Sequence, residues 1–125
     1  MLFRSGGVIV LQNGNFEVNS YAWNNYRGAL TFGSAATGVS GVVNASNSMI
    51  GAADGDAIGF AYFTTLSNGN LVMVNANWNG GAGATTLLNS TTGTTGVVGP
   101  SNSVVGESFS EFCCEIGRAS CRERV

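Results

Sequence analysis

The stretch 66–80, LSNGNLVMVNANWNG, repeats an earlier stretch of the same chain, LQNGNFEVNSYAWNN at 11–25. The second copy begins 55 residues after the first, and at this offset residues 11–51 align with residues 66–106 without a gap. Of the 41 aligned pairs, 18 are identical, including the Asn-Gly-Asn triplets and the tryptophans Trp23 and Trp78. A gapless match of this length indicates two tandem copies of one structural unit.

Each unit is patterned as a series of short strands. The segments VIVLQ (8–12) and FEVNS (16–20) flank the triplet at 13–15, and an Asn-Gly pair between such segments is typical of a tight hairpin whose turn residues adopt positive φ. The second unit repeats this hairpin at 61–66 and 71–76. A third strand is predicted at 28–32 and 83–88. A Thr/Gly turn and a Gly-Val-Val segment then lead to a fourth strand near Ser48 and Ser103.

About four short strands in one 55-residue unit predict an all-β fold of antiparallel four-stranded repeat units, which we expect to be two blades of a β-propeller. A β-solenoid is the alternative, although its coils are usually shorter and the antiparallel hairpins count against it. Phe60, Tyr62 and Phe63 are each expected to bury one face in the core. Two blades do not close a propeller, so we expect open edges, bare faces and a fragment that is marginally stable or aggregates.

Both termini resemble translations of one sequencing adapter. Leu2–Ser5 is encoded by CTCTTCCGATCT in one choice of codons, and the reverse complement, preceded by G, encodes Glu115–Arg118 and continues in frame to Val125. These ends are therefore excluded from the predicted fold. The predicted division is an adapter remnant at 1–5, repeat units at 6–55 and 56–110, and an adapter remnant or disordered tail at 111–125. A basic tail for an acidic partner is the alternative, which its mixed charges disfavour.

Charge and residue types argue against several function classes. The chain has no His, and between the two excluded ends Arg27 stands alone against five acidic residues. Nucleic-acid binding requires Lys or Arg to neutralise phosphates, so it is not expected. Acid–base catalysis at neutral pH most often uses His, and a Ser nucleophile here lacks both His and Lys, so an enzyme is not expected either. No apolar run has the length of a membrane helix.

The stretch 50–88 resembles the FG-GAP class of propeller repeat. The matching positions include Gly59-Phe60, the Asn-Gly-Asn loop at 68–70, the strand at 71–74 and Gly83-Ala84. More closely, LSNGNLVMVNANWNGGAGA and TGVSGVVNASNSMIG resemble tandem repeats of large bacterial secreted haemagglutinin-like and adhesin-like proteins, over nearly all of residues 8–106. The resemblance implies an extracellular or cell-surface location and a structural, adhesive role. Its implied partners are adjacent repeats of the same chain and a glycan or protein on a host or neighbouring cell.

Trp23 and Trp78 recur at equivalent positions, followed by Asn24 and Asn79. The first interpretation is structural: each Trp packs within its blade or at a blade junction and donates its N–H to a nearby Asn. The alternative is sugar stacking with the Asn side chains as hydrogen-bond partners, which would make the chain a glycan-binding lectin-type propeller.

Calcium is the one cofactor that the resemblance to FG-GAP blades suggests. Calcium-binding FG-GAP blades carry acidic residues in the loop between strands, and calcium requires several oxygen ligands, usually including carboxylates. The corresponding loops here, QNGN and SNGN, contain no carboxylate. Asp54 and Asp56 are therefore the candidate ligands, and a solvated acidic turn between blades is the alternative for them.

Overall fold

Nine strands and two short helical turns make up the part of the chain that the structure describes. The structure is a computed structural model, and it describes residues 7–107. The strands are β1 (Gly7–Val10), β2 (Phe16–Ser20), β3 (Ala29–Gly33), β4 (Ser48–Ile50), β5 (Tyr62–Thr65), β6 (Leu71–Asn75), β7 (Ala84–Leu88), β8 (Gly96–Val97) and β9 (Ser103–Val105). The helical turns are α1 (Trp23–Tyr26) and α2 (Trp78–Gly81).

The strands form two sheets, one for each repeat unit. The first sheet has the order β1-β2-β3-β4-β8 and the second has the order β5-β6-β7-β9. Within each unit the neighbouring strands are antiparallel. This pattern confirms the all-β prediction of antiparallel four-stranded units, and it is not the parallel ladder of a β-solenoid. A propeller arrangement of these units stays a prediction.

Strand β8 belongs to the second unit but pairs with the first sheet. It runs parallel to β4, with Met49 opposite Gly96 and Ile50 opposite Val97. The ladder continues beyond the strand, because the Val98 N–H donates to the Ile50 carbonyl at 2.9 Å. The Gly-Val-Val segment of the second unit therefore links the two units through main-chain hydrogen bonds.

The Asn-Gly hairpin loops differ from the predicted tight turn. In the first, the Leu11 N–H donates to the Asn15 carbonyl at 2.8 Å and closes a five-residue loop. Gly14 has a positive φ of 94°, but Asn13 does not. Instead, the Asn13 side-chain carbonyl accepts the Asn15 N–H at 3.0 Å. This local side-chain bond shapes the loop without a second positive-φ residue, and residues 66–70 repeat the same arrangement.

The hydrophobic core lies between the two sheets. Successive side chains of a strand point to opposite faces, so one face of each sheet meets the other sheet and one face is left outside. Ile58, from the segment that connects the units, is fully buried in this core. The inner faces contribute Ile9, Leu30, Phe32 and Met49 from the first sheet and Phe63, Leu71, Met73, Ala84 and Leu88 from the second.

Two of the three aromatic side chains predicted to serve the core lie outside it. Phe63 packs against the core cluster, but Phe60 is 60% exposed and Tyr62 is 59% exposed. Tyr62 is the neighbour of Phe63 on β5, so strand alternation turns it to the outer face of the second sheet. Phe60 precedes β5 in the connecting segment and is not bound by the alternation of the strand.

Candidate functional site

Asp56 joins the two repeat units. Its carboxylate is buried, and one oxygen accepts the N–H groups of Ala52 and Ala53 at 2.8 and 3.0 Å. The other oxygen accepts the N–H of Asn79 in α2 at 2.9 Å. A carboxylate that accepts several backbone N–H groups holds both segments in place, because burial makes each of these bonds costly to lose. Asp56 therefore has a clear structural role at the junction.

Asp54 is directed to a different partner. Its carboxylate accepts a hydrogen bond from Nε of Arg27 at 3.1 Å, and its side chain is 61% exposed. Nη1 of Arg27 also donates to the Ala52 carbonyl at 3.1 Å. Within residues 7–107 no group of three or more His, Cys, Asp or Glu side chains is arranged to hold a metal ion. Calcium binding by Asp54 and Asp56 stays a prediction, and both carboxylates already have protein partners.

Trp78 lies at the junction of the units, in the core. It is 8% exposed, and its indole N–H donates to the Val98 carbonyl at 3.2 Å. The acceptor is thus a main-chain carbonyl beside β8 and not an Asn side chain. Burial leaves little of the ring accessible for sugar stacking. Trp23 is only half-buried, and its indole donates no hydrogen bond within the described residues.

Asn24 and Asn79 set the backbone of the two helical turns. Both have a φ of 52°, in the left-handed region, which Asn tolerates better than most residues. Their side chains are exposed. The recurrence of a Trp-Asn pair is therefore explained by the turn that follows β2 and β6, and this explanation requires no ligand.

The Asn-Gly-Asn loop of the first unit also contacts the second unit, which the sequence did not predict. The side-chain amides of Asn13 and Asn15 both donate to the Ser90 carbonyl, at 2.8 and 2.9 Å. In turn, Ser90 donates its N–H to the side-chain carbonyl of Asn70 at 3.0 Å. The loop residues thus form their own turn and also hold the next unit.

An exposed aromatic cluster of Tyr21, Tyr26 and Phe60 is a candidate ligand surface that sequence reasoning missed. The ring centroids of Tyr21 and Phe60 are 5.3 Å apart, and those of Tyr21 and Tyr26 are 6.5 Å apart. Tyr26 is 50% exposed and Phe60 is 60% exposed. The repeat alignment places Ala76 and Gly81 opposite the two tyrosines. The sequence feature that could have identified this cluster is therefore a difference between the units, since the first unit has aromatic residues where the second has none.

Glu17 is a buried acidic residue on the inner face of the first sheet. It lies on β2 between Ile9 and Phe32 in the strand register, and it is 2% exposed. Burial raises the pKa of its carboxyl from 4.5 to about 8, because loss of water disfavours the charged form. No described residue donates a hydrogen bond to it. A raised pKa is common in active sites, but this carboxyl lies between two packed sheets.

Comparison with known families gives one match. Residues 10–60 and 65–113 each match the family described as a repeat of unknown function, DUF5650. No curated protein and no solved structure matches the chain. Among the residues from 7 to 107, no helix has the length and apolar character to cross a membrane.

Proposed function

The chain belongs to the DUF5650 family of repeats, and from this premise we propose that it is a structural, adhesive segment of a bacterial secreted or surface-exposed repeat protein. In this proposal the segment binds and displays and does not catalyse a reaction. Its partners are adjacent repeats of the same chain and a glycan or protein on a host or neighbouring cell surface. Two matched units in tandem, with the resemblance to haemagglutinin-like and adhesin-like repeats, support this role.

The observation that carries the proposal is the use of the polar side chains at the unit junction. Asp56, where the units meet, accepts N–H groups of residues 52–53 on one side and of Asn79 on the other. Asn13 and Asn15 of the first unit donate to a main-chain carbonyl of the second. Their chemistry serves to stack one unit on the next. A protein built in this way gains reach and valency from the number of units, and many weak contacts then add up to firm attachment.

Multivalent display tests the proposed adhesive role. The full chain, biotinylated at one end, is applied to glycan arrays and to cultured cells as a monomer and as a streptavidin tetramer. We expect the tetramer to bind at least about tenfold more strongly than the monomer, because linked sites bind with a high effective concentration. Equal binding by the two forms, or no binding by either, would argue against adhesion.

A glycan-binding lectin role is the second candidate, and the exposed aromatic cluster favours it. Sugar rings stack on exposed aromatic faces, and Tyr26 and Phe60 present such faces. Tyr26→Ala and Phe60→Ala are expected to abolish array binding while the fold survives. Tyr62→Ala is the matched control, because Tyr62 is similarly exposed but lies outside the cluster. Unchanged array binding in both cluster variants would rule out this site.

A further inference from the structure

We propose that this chain self-associates head to tail, with the segment 41–43 of one copy adding a parallel strand to β9 of a second copy. The inference rests on the way the two units already meet within the chain, and it holds whether or not the proposed adhesive role is correct. For the 125-residue chain, the occupant of each outer face is a second copy, in the place that an adjacent repeat takes in the proposed longer protein.

The internal junction supplies the template. There, β8 pairs in parallel with β4, and the Val98 N–H extends the ladder to Ile50. By the repeat offset of 55, Met49 and Ile50 correspond to Val104 and Val105, while residues 96–98 correspond to residues 41–43. The same junction between two copies would place Val104 opposite Gly41 and Val105 opposite Val42. The Val43 N–H would then donate to the Val105 carbonyl.

Both halves of this junction are open at the ends of the described chain. Strand β9 is the last strand of its sheet and pairs only with β7 among residues 7–107. The segment 41–43 pairs with no strand of the described residues. Unpaired strand edges present free N–H and carbonyl groups and are templates for pairing with another chain.

The segment 41–43 shares two local features with its paired counterpart, 96–98. Gly41 has a φ of 115°, and its equivalent Gly96 has a φ of 118°. The Asn47 side-chain amide donates to the Val42 carbonyl at 2.9 Å, just as Asn102 donates to Val97 at 3.0 Å. Because the local turn holds the segment in place, pairing does not require it to refold, which lowers the entropic cost of association.

Positions on the outer faces lack the neighbour that the equivalent positions have at the internal junction. At the internal junction, a Cβ added to Gly93 would meet the Phe32 ring at 2.7 Å, whereas one added to Gly38 meets nothing within 4 Å. The residue that corresponds to Phe32 is Leu87, which is 54% exposed. In the head-to-tail pair, Leu87 of one copy would cover Gly38 of the next.

The tryptophan pair shows the same difference. Val98 is 1% exposed beneath Trp78, whereas their equivalents Val43 and Trp23 are only half-buried. A shallow groove lined by Val18, Thr31, Val39 and Val43 runs over this outer face. In the proposed pair, a second copy covers this groove as the first unit covers the equivalent surface of the second unit. It contributes the edge of its strand β9 and the apolar outer face of its second sheet.

The junction is heterologous, since the two surfaces that meet are different. One copy presents the outer face of its second sheet and the other presents the outer face of its first sheet. Such contacts continue from copy to copy until the rotation closes a ring, and otherwise they produce filaments. This accounts physically for the expectation that an isolated pair of units aggregates.

Two Val→Lys variants of the full chain test the proposal. Val104 and Val10 are 70% and 74% exposed, so a lysine at either position is compatible with the folded chain. Only Val104 would become buried on association, because its equivalent Met49 is fully buried while the equivalent of Val10, Thr65, is exposed. In sedimentation velocity under reducing conditions, we expect concentration-dependent association of the unmodified chain. Val104→Lys should raise the dissociation constant of the association by at least about tenfold, because association would bury its charge. Val10→Lys should leave the dissociation constant within about twofold of that of the unmodified chain.

Mixing two variants tests the head-to-tail geometry. Val18→Lys blocks the outer face of the first sheet, and Val104→Lys blocks that of the second. At a protein concentration where the unmodified chain associates, each variant alone should remain monomeric, and an equimolar mixture should form a dimer and stop there. Dimerisation by Val18→Lys alone would show a symmetric contact and overturn the proposal. A monomeric wild-type chain, or equal effects of Val10→Lys and Val104→Lys, would overturn it as well.

A fluorescence measurement gives an independent readout. In a Trp78→Phe variant, Trp23 is the remaining tryptophan, and association should bury it as the internal junction buries Trp78. We expect its emission to shift to shorter wavelength as the protein concentration rises. The shift should be absent when Val104→Lys is added. A constant emission wavelength across an association that sedimentation detects would place the contact elsewhere and refute the proposed register.

Discussion

Burial of Glu17 makes the stability of this fold depend on pH. Its carboxyl has a pKa of about 8 in the folded chain against 4.5 in the unfolded chain. Between these values the folded state keeps a proton that the unfolded state has released. The free energy of unfolding therefore falls as the pH rises from about 4.5 to about 8, by up to about 1.4 kcal/mol per pH unit.

Glu17→Gln is expected to remove this dependence, because an amide does not titrate. Urea denaturation at a series of pH values measures it, and the variant should be the more stable protein near pH 8. Glu107→Gln is the control, since Glu107 is exposed. A slope that survives in Glu17→Gln would assign the pH dependence to another group.

Asp56 is expected to matter much more for stability than Asp54, two residues away. Asp56→Ala leaves the N–H groups of Ala52, Ala53 and Asn79 without their acceptor and should cost about 2 kcal/mol or more. Asp54→Ala removes an exposed ion pair and should cost less than about 1 kcal/mol. Thermal denaturation of both variants, with and without calcium, measures the difference. A larger effect for Asp54→Ala would contradict the junction role.

At the scale of the element, the two hairpin loops allow a matched comparison. Asn13 and Asn68 form the same turn, with each side-chain carbonyl accepting the N–H two residues later at 3.0 Å. Only Asn13 also bonds to the other unit, through Ser90. Asn13→Ala is therefore expected to destabilise the monomer by about 1 kcal/mol more than Asn68→Ala. Denaturation at low protein concentration measures this, and equal costs would mean that the bond to Ser90 adds nothing.

Strand positions were largely predictable from local sequence, and loop geometry less so. The segments at 16–20 and 28–32 contain the residues of β2 and most of β3, because β-branched and aromatic residues between turn formers favour strands. The hairpin turn was predicted with too many positive φ angles. An Asn in such a loop can adopt a positive φ, or its side chain can accept a nearby backbone N–H. Composition does not show which of these two conformations the loop adopts.

At the scale of the whole molecule, the shared core predicts that the two units unfold together. Leu30 from the first unit and Met73 from the second are both fully buried in one cluster. A Trp78→Phe variant reports on the first unit through Trp23, and Trp23→Phe reports on the second through Trp78. In each variant the fluorescence and circular dichroism transitions should coincide.

Leu30→Ala tests this coupling directly. It should lower the midpoint reported by either tryptophan, at a cost of about 2–5 kcal/mol for a buried leucine. Leu87→Ala is the control, because Leu87 is 54% exposed on the outer face. If Leu30→Ala destabilised the first unit alone, the units would be independent domains.

The sequence by itself determined that this chain is a tandem all-β repeat. The periodic apolar residues, the Asn-Gly-Asn loops and the 55-residue offset are local features that act through turn chemistry and strand propensity. Only the tertiary structure decided that β8 pairs with the preceding unit and that Glu17 faces the core while its equivalent Val72 lies on the outer face. It also decided that Asp56 links residues 52–53 to Asn79. These outcomes depend on which face of each sheet meets the other sheet. Two units with one pattern share their local structure but differ in their neighbours, and the neighbours decide what is buried.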